Sequence, residues 1–84
     1  MTNKLYTIIK SDRNRPDSEV TDTLENLIQY FSYTLEVGKS WEHEKGNKKI
    51  NKNPKTIKSL ITNLNNATNN AASNGYSGKS YKLK

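Results

Sequence analysis

The sequence predicts a small α+β domain, an antiparallel sheet with two helices packed on one face, in the β-α-β-β-(β)-α-(β) order of a split βαβ sandwich. Three observations predict it. Residues 4–10 (KLYTIIK) concentrate β-branched and aromatic side chains. Two later stretches repeat apolar residues at helical spacing. Between them, apolar and polar residues alternate as along a half-buried strand. At 84 residues, with 31% of them hydrophobic, the chain suits a single domain, 1–84, around a small core.

The first strand falls on residues 4–10 and is expected to be buried on both faces. Residues 13–16 (RNRP) read as a loop that Pro16 closes. A helix is expected from Asp17 or Ser18, either of which can cap it, with Glu19 and Asp22 in a first turn where the helix dipole favours anions. Val20, Leu24, Leu27, Ile28 and Phe31 form its apolar stripe, and Asp17, Glu19, Asp22 and Glu25 leave its exposed side acidic. Phe31, Tyr33, Leu35 and Val37 then alternate with polar residues and predict a strand, ended by a turn at Gly38-Lys39. Residues 40–44 read as a return strand, Lys45-Gly46-Asn47 as a turn, and residues 48–51 as a short edge strand.

The second helix is expected over 54–73. Asn53 is a favoured N-cap, Pro54 a favoured first residue, and Ile57, Leu60, Ile61 and Leu64 line one face, continued by Ala67 and Ala71. Gly75 suits its C-terminal cap. Residues 76–84 are either a last strand, with Tyr81 and Leu83 on one face, or a basic tail.

The formal charge is +6, but its distribution is uneven. All eight acids lie in residues 1–44, which sum to −3, whereas residues 45–84 hold nine lysines and no acid. Nine lysines without a carboxylate nearby in sequence suggest a polyanion partner, because each phosphate neutralised releases counterions and adds affinity. Twelve asparagines accompany them. An Asn/Lys bias is common in AT-rich genomes, including those of many bacteriophages, and points to source rather than to mechanism.

Enzymatic chemistry is not expected. There is no cysteine and only one histidine, His43, with no second residue at metal-ligand or proton-relay spacing, so neither a metal nor another cofactor is expected. Gly75-Tyr76-Ser77-Gly78-Lys79-Ser80 superficially suggests a phosphate-binding loop. It has two residues between its glycines where four are needed, and no room for the helix that must follow. Apolar runs are too short for a membrane span, and residues 1–9 lack the pattern of a signal peptide, so a cytoplasmic location is expected.

The candidate site is therefore a nucleic-acid-binding surface. Lys45, Lys48, Lys49, Lys52, Lys55 and Lys58 lead into a helix N-terminus, where unpaired N–H groups suit a phosphate, and Lys55 and Lys58 are expected on one helix face. Tyr76 and Tyr81, interleaved with Lys79, Lys82 and Lys84, could stack on unpaired bases. Tyr30, Tyr33 and Trp41 are expected in the sheet region. The acids Asp17, Glu19, Asp22 and Glu25 form a candidate face for a basic protein partner. The function these features predict is sequence-tolerant RNA binding by a phage accessory protein, in the manner of a counter-defence or antitoxin-like inhibitor of a host nuclease or toxin. Two other readings stay open: a protein–protein antagonist that never touches nucleic acid, and a small DNA-binding regulator. A homodimer is expected as well, since so small a core gains from a second copy.

Overall fold

The computed structural model describes residues 4–72 and 79–84. Strands β1 (Tyr6–Asp12) and β2 (Arg15–Asp22) come first, then helices α1 (Leu24–Tyr30), α2 (Ser32–Ser40) and α3 (Ile57–Ala71), and last β3 (Lys79–Leu83). The sheet is antiparallel with the order β2-β1-β3. The α+β class with a small antiparallel sheet holds. The order of assembly does not: the chain runs β-β-α-α-α-β, without the split βαβ crossover.

The first difference arises at Pro16. An Arg13-Asn14 turn, in which the Asp12 carboxylate accepts the Asn14 N–H at 3.1 Å, reverses the chain into β2. β2 is an edge strand, so the N–H that Pro16 lacks is not needed for pairing. Val20 stands opposite Ile8, and Asp22 opposite Tyr6. The expected helix thus starts later. Thr23 caps α1 by accepting the Asn26 N–H at 3.3 Å, while one Asp22 oxygen takes the Thr23 N–H and the Asn26 side-chain amide.

The second difference is α2, which replaces the expected strand and its terminal turn. Phe31 and Leu35 fit both a period of two and a helical period, and the buried set Phe31, Leu35 and Gly38 fits only the helix. Gly38 is there for close approach and not for a turn: a Cβ built on it would overlap Cα and Cβ of Ala67 on α3. Gly38→Ala should therefore destabilise by about 2 kcal/mol, overpacking outweighing the gain in helix propensity. Urea denaturation measures this. Ala67→Gly in the same chain should restore only part of the loss, because the Ala67 Cα also lies in the overlap.

Among the described residues, neither 40–44 nor 48–51 is a strand. Residues 41–46 form consecutive turns, with Gly46 at φ +87, and residues 47–56 run without regular structure back to α3. α3 starts at Ile57 rather than at residue 54, because Thr56 and not Asn53 is the cap, accepting the Ser59 N–H at 3.1 Å. Pro54 is buried ahead of it.

The helices cover one face of the sheet. Ile8 and Tyr81 meet Leu27, Phe31, Leu35, Ile50, Ile57, Leu60 and Leu64 in one core, with Val20 packed against it. The other face is open, so β1 is buried on one side only. Ile9 is half-buried there between Glu19 and Lys82, Thr7 and Thr21 join hydroxyls at 2.7 Å, and Lys84 Nζ reaches Glu19 Oε1 at 3.1 Å. At the outer edge of β3 the Asn65 side chain accepts the Tyr81 N–H at 2.8 Å and donates to the Tyr81 carbonyl at 2.9 Å.

Candidate nucleic-acid interface

Four of the six lysines (Lys48, Lys49, Lys52 and Lys55) lie in a segment with no regular secondary structure, flanked by Lys45 in the preceding turn and Lys58 in α3, so its position depends on side-chain anchors. Residues 47–56 form a strap that runs antiparallel along α3. At one end the Asn70 amide, 2% exposed, accepts the Lys48 N–H at 3.0 Å and donates to the Lys48 carbonyl at 2.7 Å and the Gly38 carbonyl at 3.1 Å. Midway, Asn63 accepts the Asn51 N–H at 2.8 Å. Ile50 inserts into the core between these two clamps, and its N–H is taken by Glu42 Oε2 at 2.9 Å. Asn47 closes the start of the strap by donating to the Trp41 carbonyl at 2.8 Å.

The strap's backbone is thus fixed while its charged ends face water. Lys45, Lys48, Lys49, Lys55 and Lys58 are exposed and, among the described residues, none lies in an ion pair. Lys52 is half-buried and meets Glu36 at 3.7 Å. Lys55 precedes α3, so it does not share a helix face with Lys58 as expected; the two flank the Thr56 cap instead. Unpaired cations spaced along a fixed track can each meet a phosphate without first breaking a protein ion pair.

Glu42 links charge to this architecture. The Ile50 N–H, and after it Lys39 at 3.2 Å, hold its carboxyl below the usual glutamate range. A carboxylate whose folded pKa is depressed contributes stability above its unfolded pKa and loses it as pH falls through the folded value. Acidification below the ordinary glutamate range should therefore loosen the strap. Glu42→Gln should flatten that acid-side fall in melting temperature, which thermal denaturation at stepped pH measures. Asp22 is held low in the same sense, by the Asn26 amide and then the Thr23 N–H.

The remaining candidates divide. Lys79 and Lys82 are exposed on β3; Lys84 is exposed and paired with Glu19. Tyr81 is core, edge-to-face on Phe31 at 5.5 Å, so its ring is not available for stacking. Tyr76 lies outside the described residues, as does Gly75. Tyr30 and Tyr33 sit on α1 and α2, not in the sheet, and are 68% and 71% exposed. The four acids share no helix face. Asp17, Glu19 and Asp22 are on β2, where Asp22 is engaged in capping, and Glu25 is in the first turn of α1. His43 is exposed beside Glu44 at 3.8 Å, and among the described residues no three potential metal ligands converge.

The asparagines are what the sequence reading missed. Asn47, Asn63, Asn65 and Asn70 each tie backbone groups from other segments to their own. Their density alone did not mark them. The usable signal was an asparagine on the apolar stripe of a helix, at Asn70 one turn after Ala67, where burial demands partners. No protein-family model, curated protein or solved structure matches this chain. Among the described residues, no helix is long and apolar enough to cross a membrane.

Proposed function

We propose that this chain is a small non-enzymatic RNA-binding protein whose strap tracks phosphates with little sequence preference. One observation carries the reading: Lys48, Lys49 and Lys55 on the clamped strap, with Lys45 before it and Lys58 after it, are exposed and lie in no ion pair among the described residues. Lys79 and Lys82 add charge from the sheet. The exposed acids Asp17 on β2 and Glu25 on α1 stand apart from these lysines as separate contact points for a basic protein. A two-signed surface of this kind suits an accessory protein of phage type that engages a host nuclease or toxin together with its RNA.

Purification at low and high salt, followed by the ratio of absorbance at 260 and 280 nm, tests the binding step. Co-purifying nucleic acid that high salt or RNase removes, and DNase does not, supports the reading. If these five lysines each meet one phosphate of a single strand, log affinity should fall against log salt with a slope of about −3.5. Protein free of nucleic acid at both salts, together with a near-zero slope for added RNA, would turn the strap into a docking surface for an acidic protein. Preference for DNase-sensitive material would favour the DNA-binding alternative.

A further inference from the structure

Tyr30 ends α1 and Tyr33 is the second residue of α2, one on either side of the buried Phe31. An exposed tyrosine by itself is ordinary. These two share a setting. Tyr30 borders a shallow groove floored by Ile8 and Val20, with Lys10 on its wall. Tyr33 borders a second groove floored by Val37 and Ala67, with Lys79 on its wall. Lys10 and Lys79 belong to neighbouring strands, since Lys10 pairs with Tyr81 and Asp12 with Lys79. Each groove therefore combines one open aromatic ring, apolar lining and one ammonium group; the Tyr30 groove also borders Glu19, whose carboxylate is paired with Lys84.

The Tyr30 ring is also held. It stands edge-to-face on Phe31 at 4.9 Å, and Phe31 stands edge-to-face on Tyr81 in the core. An anchored ring has already lost the rotational freedom that stacking costs, so more of the contact energy appears as affinity. Duplex RNA keeps its base faces stacked inside and offers only backbone and groove edges, whereas unpaired bases can lie on a tyrosine while a lysine meets the adjoining phosphate.

We infer that Tyr30 and Tyr33, with Lys10 and Lys79, form a stacking surface that makes unpaired RNA the preferred ligand of this protein. The inference rests on the RNA-binding reading above and adds the strand state of the ligand. Fluorescence anisotropy with an unstructured oligoadenylate and a fully paired RNA duplex of equal length provides the test. Tyr30→Ala combined with Tyr33→Ala should weaken single-strand binding at least about tenfold, and Tyr→Phe at both positions should restore it. Duplex affinity and the salt slope should stay unchanged, since no phosphate contact is removed. Both side chains are exposed, and an unchanged melting temperature would confirm that the fold survives. Equal loss on both ligands, or no loss on the single strand, overturns the stacking surface while leaving phosphate binding intact. Wild-type protein that binds neither ligand overturns both readings.

Discussion

Replacing Lys48, Lys49, Lys55 and Lys58 together by glutamate is expected to lower affinity for single-stranded RNA by at least about 10³-fold at about 50 mM salt. Each phosphate neutralised on a single strand contributes about 0.7 to the slope of log affinity against log salt, and four such contacts extrapolated from about 1 M to 50 mM salt amount to about three and a half decades. Reversal adds repulsion to that loss. The fold should tolerate it, because these four side chains are exposed and lie in no ion pair among the described residues. Lys52 is left in place because it meets Glu36. Equilibrium titration at several salt concentrations checks both parts: the affinity drops, and the slope flattens towards zero. A variant that keeps its affinity and its slope would show that the strap is not the phosphate-binding surface.

The second large effect is on stability. Asn70→Leu keeps the γ-branched outline of the side chain but removes three hydrogen bonds at a residue only 2% exposed. Counting about 1 kcal/mol for each bond, and somewhat more where a part-buried Lys48 backbone group loses its partner, the loss is about 3–4 kcal/mol. For a domain of this size that corresponds to a fall in melting temperature of about 15–25 °C. Asn70→Asp separates the roles of the amide. Its carboxylate still accepts the Lys48 N–H but faces the two carbonyls that the amide NH₂ had served, which raises its folded pKa. A raised folded pKa gives stability that is present at low pH and is lost as pH rises through it. Asn70→Asp should therefore gain stability on acidification, against the trend that Glu42 imposes on the wild type, and Asn70→Leu should not. A melting temperature of Asn70→Leu within a few degrees of wild type would rule out the clamp as a principal support of the strap.

The first strand and the long helix were legible from sequence because local pattern and tertiary role agree there, while for residues 76–84 the pattern left a strand and a basic tail both open. Residues 4–10 and 76–84 contain strands, and the stripe Ile57, Leu60, Leu64, Ala67 and Ala71 is the face that α3 buries. The middle was not legible, for physical reasons. Val20 lies four residues before Leu24, so a strand residue extended a helical stripe by coincidence of spacing. Phe31 and Leu35 satisfy two periods at once, and what decides between them is Gly38 against Ala67, a contact no local window contains. The strap has no periodicity to read, since its order comes from Asn63, Asn70 and Glu42, distant in sequence. For the site, the lysines were legible because charges of one sign without partners must face water. Which tyrosines face outward depended on the fold: Tyr81 turned in to the core while Tyr30 and Tyr33 turned out.

Asn65 has a consequence for how many copies can live side by side. Its amide presents to Tyr81 the same donor and acceptor that the backbone of another strand would present, so the outer rim of β3 is interrupted at its centre. The opposite rim, β2, carries Pro16, Asp17 and Glu19, which discourage a second chain from lying alongside. A basic protein gathered on a polyanion experiences a local concentration far above that of the bulk, the condition under which bare sheet rims fuse into aggregates. With both rims blunted in this way, edge-to-edge pairing of sheets between copies is disfavoured. Should the proposed polyanion binding gather copies together, the Asn65 amide would then limit strand-to-strand pairing among them.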